Sequence, residues 1–395
     1  MSDGHGDPTE ALPDRLRIEK VETAGQWKAF YQLRVDIYRD DPVAAIPLKS
    51  MERAKLDVNS SFFAHAERVA WIALEGDRCV GRIVAIVDRL HNEYHNDTLG
   101  FFGFFECTDD ANAAKGLVEV AGQWLREKGC TSMRGPMSPS MKGEMGVLID
   151  GFEYPPRIMM GHSRRWYDKL LLGCDLDVVK TFYAFRFESD DPKQTEQYEK
   201  LNAFEAKVLK RYPDLRFEQI SRENFAEAVQ EVNVLGNEVR KEGWGFVPST
   251  KAEVDTMIKN LGPIIRHEAF QVAYYKDELV GFVIAIPDVN WAFRKTFGKW
   301  DWLRKIQLLF LLKRIPTSRV IALGAAKKFR SKGIGMLLIR RLSGQRELFK
   351  EWEMSWVLED NLKSLGALNR GVVMDKYKTY RLYEKTLGPE NTPNS

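Results

Sequence analysis

The chain has 395 residues, 44% of them hydrophobic and 29% charged, which suits two or three folded domains and excludes whole-chain disorder. Its 59 basic residues face 56 acidic ones, and a net charge of +3 is too balanced for a general nucleic-acid binder. Cys79, Cys107, Cys130 and Cys174 form no CxxC pair, so neither a zinc site nor a disulfide framework is signalled.

Residues 1–14 read as a loose polar tail without the apolar core of a secretory signal. The longest strongly apolar run, Ile306 to Leu312, is far short of the roughly 20 residues that span a bilayer, and a cytoplasmic protein is expected. In the first half, Ala70–Leu74 and Cys79–Val87 read as strands around the turn Glu75-Gly76-Asp77. His91 and His95 follow in polar loop composition. Their spacing of four suits a metal on a helix, but the HExxH order is missing and no metal is expected. Leu99–Cys107 reads as a strand, Ala111–Lys128 as a helix stopped by Gly129, and Thr181–Phe187 as an aromatic-rich closing strand.

The polar stretch Ser189–Thr195 has linker composition, and a similar order of elements then returns. Phe270–Tyr275 and Glu278–Pro287 form a hairpin, Arg319–Ala326 a strand, Gly335–Glu351 a helix and Tyr377–Lys385 a closing strand. The expected architecture is α/β, mixed α+β, with two tandem domains each built on a mixed sheet flanked by helices. The boundaries fall at 15–188 and 214–388, joined by a linker and connecting helix over 189–213, with a tail at 389–395.

Arg330-Ser331-Lys332-Gly333-Ile334-Gly335 lies between a strand and a helix start. There, glycines permit close approach and a helix N-terminus favours phosphate oxygens. It is neither a Walker A sequence nor the GxGxxG dinucleotide fingerprint. It resembles the [QR]xxGx[GA] acyl-CoA motif of the GNAT acyltransferase superfamily, matched by Arg330, Gly333 and Gly335. The resemblance implies that the amides of residues 330–335 hold the pyrophosphate of acyl-CoA. It implies also that Leu323 to Ala325 pairs with pantetheine and that Asn361, ending Val357–Asn361, closes the next core strand. The first half resembles a second copy, but reads Cys107-Thr-Asp-Asp-Ala-Asn112 where the motif would stand, so it is expected to be a degenerate copy that shapes the site.

Phe101–Cys107, Arg134–Ser140, Glu144 with Gly146, Gly151–Pro156, Gly245–Pro248 and Pro287–Asn290 together resemble a bacterial tandem-GNAT family over residues 16–388. Some of its members are ceramide synthases, which N-acylate a long-chain base from acyl-CoA. The resemblance thus implies acyl-CoA as cosubstrate, no tightly bound cofactor, and an amine acceptor that is a lipid.

Acyl transfer to an amine needs a base, an oxyanion donor and an acid for the thiolate. Glu359, Glu144 and Asp288 are the carboxylates inside recognisable motifs, and His162 is a further candidate base. The position where many superfamily members carry a Tyr acid is Leu368 here, which leaves Tyr383 or Tyr380 as substitutes. A non-catalytic acyl-CoA sensor and an enzyme for a small soluble amine remain open alternatives.

From Arg294 to Arg341 the chain carries 14 basic residues against Asp301 alone, a window of +13 that leaves −10 for the remainder. It reads either as a solvated face or as a surface that meets phosphates. Within it, residues 300–314 read as a helix with Asp301, Arg304 and Lys305 on one side and Trp302, Leu303 and Ile306 on the other. Basic pairs bracket it and two Trp begin it, the composition of an interfacial helix. A peripheral contact with an anionic membrane, and no nucleic-acid partner, are expected.

Overall fold

The computed structural model describes residues 16–345, 347–361, 366 and 372–388; Leu368 and both expected tails lie outside that set. The chain begins with β1 (Arg17–Lys20), α1 (Ala24–Ile37), α2 (Lys49–Ala54) and the hairpin of β2 (Ala66–Glu75) and β3 (Arg78–Asp88). Next come α3 (Arg89–His95), β4 (Leu99–Cys107), α4 (Ala111–Glu127) and β5 (Ser132–Gly135). The short β6 (Met137–Ser138) and β7 (Glu144–Met145), then β8 (Val147–Asp150), α5 (Tyr167–Leu172) and β9 (Asp177–Glu188) complete the first half.

The second half opens with α6 (Pro192–Arg211), β10 (Leu215–Gln219), α7 (Phe225–Arg240) and α8 (Lys251–Leu261). The hairpin of β11 (Phe270–Tyr275) and β12 (Glu278–Pro287) leads into α9 (Val289–Thr296) and α10 (Asp301–Leu311). Then follow β13 (Thr317–Ala325), α11 (Ile334–Ser343), β14 (Glu351–Leu358) and β15 (Asp375–Thr386).

Among the described residues, one sheet runs β1-β2-β3-β4-β5-β15-β9-β14-β13-β12-β11-β10, with β8 also paired to β15. The closing strands are exchanged across it. The strand that ends the first half, β9, pairs with β14 of the second, Phe185 opposite Met354. The strand that ends the second half, β15, pairs with β5 of the first, Tyr383 opposite Gly135. The two sequence halves are therefore laced into one sheet rather than set side by side.

Helices cover both faces of the second half, and glycines set the spacing. A Cβ on Gly281 would strike Ile334 and Leu338 of α11, while Phe282 reaches Gly236 of α7 on the other face. This alternation is the period of a strand buried on both sides. In the first half, α4 buries Ala113, Ala114, Leu117, Val118, Ala121 and Leu125, three and four apart, and Asp110 caps its first turn.

Three local expectations change. His91 and His95 sit on helix α3, started by the Asp88 side chain, rather than in a loop. The second-half helix stops at Ser343, and Glu351–Leu358 is strand, because Trp352 and Met354 alternate into the core. In α10 Arg304 leaves the polar side, is buried and donates to the Ile46 carbonyl, while Asp301 and Lys305 stay exposed and so do Trp302 and Ile306 of the expected apolar side.

A buried polar joint ties the halves. Asp288 accepts from the Ile158 amide at 2.8 Å and from Arg157 at 3.2 Å, and it also caps α9 through the Asn290 amide. Burial raises the Asp288 carboxyl above its usual range, against the pull of Arg157. Beside it, burial lowers the Lys378 ammonium to about 8, and its Nζ donates to the Pro155 carbonyl at 2.6 Å.

Candidate functional site

The site is a split in the sheet. Parallel strands β13 and β14 are in register from Thr317–Glu351 to Val320–Met354 and then part. Ile321 is an extra residue in β13: Ala322 and Val320 pair with consecutive residues Ile284 and Ala285 of β12. Such a bulge bends one strand away from its neighbour. On the other side β14 breaks its pairing with β9 at residues 355 and 356, which places Ser355 and Trp356 at the apex of the opening.

The backbone of β13 supplies the lining. The Ala326 amide bonds to Val280 of β12, so by alternation the N–H and C=O of Ala325 and Leu323 face the opening. At the wide end, the 3-10 turn Lys327–Lys332 leads through Gly333, at φ +80°, into α11. Among the described residues no side chain caps the first turn of α11, so the amides of Ile334 and Gly335 are open to an anion. Two basic side chains of this loop fold back on the protein surface. Arg330 donates to the Val239 carbonyl at 2.9 Å, and Lys332 lies 4.7 Å from the centre of the Tyr212 ring. These two brace the loop; the side chain of Ser331 lies outside the described set.

The matching place in the first half is closed. Strands β4 and β5 also part after a short parallel stretch, but β6 fills the gap. The Phe104 amide donates to Ser138 Oγ at 2.9 Å, and a Cβ on Gly103 would lie 1.5 Å from the Met137 carbonyl oxygen. The first turn of α4 is likewise occupied, since Asp110 accepts from the amides of Asn112 and Ala113.

The candidate catalytic groups are dispersed. Glu359 stands in the 3-10 turn Glu359–Asn361 at the open end of β14, exposed, accepting from the Thr181 amide at 3.2 Å; Asn361 is exposed beside it. Glu144 belongs to a buried first-half network, bonded to Arg34 at 3.1 Å and Lys55 at 2.6 Å. Burial alone would raise its carboxyl, but Arg34 and Lys55 prevail and hold it below the usual range. His162 is paired with Asp41 at 2.9 Å, and Asp288 is the joint described above. Tyr383 is buried against α4 in the first-half core and donates to Asp168; burial and then Asp168 raise its phenol. His95 Nε2 contacts the Phe246 carbonyl at 2.8 Å, and no cluster able to hold a metal ion occurs among the described residues.

Sequence reasoning missed a constellation at the apex. Glu353 is fully buried, accepting from Ser355 Oγ at 2.6 Å and from the Tyr377 hydroxyl, while Arg319 Nε donates to Ser355 Oγ at 2.8 Å. Tyr380 stacks on Phe182, which meets Trp356 edge-on. The Tyr380 hydroxyl is buried without a hydrogen-bond partner among the described residues. Burial, then Glu353, raises that phenol well above its ordinary value. The available signal was a charged residue set between Trp352 and Met354, two residues that read as core.

No family model matches the chain. It is 30% identical over 369 residues to Protein YghO of Escherichia coli (strain K12), covering 91% of this chain and 93% of that protein. It is 29% identical over 394 residues to a bacterial ceramide synthase of Caulobacter vibrioides, covering 96% of this chain and 100% of that protein. Among solved structures, a tandem GNAT protein from the clavulanic acid biosynthesis pathway superposes with a TM-score of 0.55 at 10% identity, over 95% and 100% of the two chains. A GCN5-related N-acetyltransferase from Sphaerobacter thermophilus gives 0.54 at 14% identity, over 96% and 98%. At such identities the solved structures speak to the fold, and the full-length sequence match to YghO carries the kinship. With one sheet built from two halves, a split strand pair and a helix start after a glycine loop, the chain has the tandem-GNAT fold and belongs to the same family as Protein YghO.

Proposed function

We propose that the protein moves an acyl chain from acyl-CoA to the amine of a long-chain, sphingoid-type base, giving a ceramide-type lipid. The observation that carries this reading is the open split between β13 and β14 with the uncapped start of α11 at its wide end. In this reading the amides of residues 330–335 hold the pyrophosphate and the Leu323–Ala325 edge pairs with pantetheine. The thioester then lies toward the apex. The filled gap of the first half leaves one acyl-CoA site per chain, with the first half as its wall.

The amine nitrogen attacks the thioester carbonyl and the C–S bond breaks. The ammonium proton passes to Glu359, and the thiolate, a fair leaving group, departs and takes its proton from solvent. Backbone amides near Ala325 receive the oxyanion. Glu359→Gln is expected to lower kcat roughly a hundredfold while leaving the affinity for acyl-CoA near wild type, the low end of a positioned base's contribution because a CoA thiolate leaves readily. Should Glu359→Gln keep its rate while Glu353→Gln loses it, the buried carboxylate at the apex is the base.

Support for a lipid acceptor at a membrane comes from α10. Trp300, Trp302, Ile306, Leu309 and Phe310 are exposed, flanked by exposed Lys305, Lys313 and Arg314. A core helix buries such residues, whereas an interfacial helix presents them with basic neighbours. No helix among the described residues is long and apolar enough to cross a membrane. Lys299 joins this face through Gln307, whereas Arg319 is buried, Arg340 and Arg341 pair with Glu205, and Lys328 pairs with Glu278. Leu309→Asp is expected to reduce binding to anionic vesicles about tenfold, and activity on long-chain acyl-CoA should fall with it. Sedimentation with vesicles measures the first and product formation the second.

A further inference from the structure

The apolar face of α10 does not end at α10. Met51 on α2 and Val58 just beyond it are also exposed, and a hollow of about 650 Å³ separates them from α10. The hollow is lined by Leu48, Lys49, Ser50, Arg53, Ala54 and Asp57 from the first half and by Asp301 and Lys305 from the second. Arg304 holds the two walls together by reaching the Ile46 carbonyl, and Phe297 packs on the cluster of Tyr38, Ala44 and Ile46.

The charges in this hollow are unequally engaged. Asp57 accepts from the Asn59 amide at 3.0 Å, and Asp301 stands 4.0 Å from Arg304. Lys305 has no hydrogen-bond or ion-pair partner among the described residues. The Arg53 guanidinium rests only against the Tyr31 ring, 5.7 Å from its centre. Arg53 and Lys305 thus stand in a hollow whose lining is mainly apolar, with exposed apolar residues on α10 and around α2 nearby, which is the chemistry that takes a phosphate carrying acyl chains.

We propose that this hollow seats the phosphate of an anionic membrane phospholipid, so that both halves of the chain meet the bilayer as one face. The apolar residues on either side enter the acyl region, and the bound headgroup fixes which way the protein faces the membrane. The proposal rests on the membrane reading of α10, and its test separates the two.

Dihexanoyl phosphatidylglycerol, kept below its micelle concentration, should bind the intact protein saturably, one per chain, in calorimetry. Arg53→Gln with Lys305→Gln should weaken that binding by about 25-fold, on the order of fivefold for each charge removed. Lys313→Gln with Arg314→Gln removes the same charge outside the hollow and should leave the affinity within about twofold of wild type. Leu309→Asp should lose vesicles yet keep the soluble lipid, whereas failure of the α10 reading alone would leave Leu309→Asp binding vesicles normally. Absence of saturable binding, or equal losses in the two double variants, would overturn the proposal. Displacement by inorganic phosphate at equal concentration would also overturn it, marking a free-anion site.

Discussion

Gly333→Asp should weaken acyl-CoA binding about a hundredfold, because it brings a carboxylate against a pyrophosphate, and like charges in contact cost several kcal/mol. The effect has a second source in the backbone. Gly333 sits at φ +80°, and a Cβ there would lie 2.6 Å from the Phe204 ring of α6, so the loop must shift as well. Some loss of stability should accompany the loss of affinity, and thermal melting alongside calorimetry with a non-hydrolysable acyl-CoA analogue separates the two. Asn112→Asp makes the corresponding change in the first half, where Asp110 already satisfies the helix amides. That variant should bind acyl-CoA as wild type does. Unchanged affinity in Gly333→Asp would move the cofactor site elsewhere.

Asp288→Ala should destabilise the fold by about 3–5 kcal/mol, the usual cost of stranding one member of a buried ion pair. The carboxylate is 1% exposed and holds Arg157 and the Ile158 amide of the first half, together with Thr317 at the root of β13. Its removal leaves the Arg157 guanidinium in the interior with only Glu351 as an ionic partner. Since the bond spans the two halves and lies at the root of the split, acyl-CoA affinity should fall too. Denaturant unfolding monitored by Trp fluorescence reads the stability. A loss below about 1 kcal/mol would show that the joint contributes no more than a surface pair.

How much of this was legible beforehand follows the range of each interaction. The hairpins and β13 could be read because their signal is local: alternating or continuous apolar runs between turn residues. The glycine loop was legible for the same reason, since its conformation and the helix start are written within six residues. The exchange of β9 and β15 was not, because pairing partners some 200 positions apart leave no trace in periodicity. The plug in the first half depended on Gly103 meeting β6 and on Gly135 meeting Phe102 of β4, contacts that the acids after Cys107 only foreshadowed. In α10 the pattern was visible but its orientation was not: a lone Arg304 could outbid its apolar neighbours for the interior only because the Ile46 carbonyl was waiting there. Glu353 went unnoticed since its carboxylate acquires meaning only from Ser355 two residues on and from Arg319 and Tyr377 on the strands β13 and β15.

The claim that most needs testing is that this split passes an acyl group from CoA to the amine of a long-chain base. The direct measurement is mass spectrometry of products after purified protein meets a panel of acyl-CoA donors with a sphingoid base and with small amines. The account predicts an N-acylated long-chain base whose mass rises with each donor's acyl chain, together with free CoA in equal amount, and no product from Gly333→Asp. Acylation of the small amines alone, or acyl-CoA bound without any turnover, would contradict it.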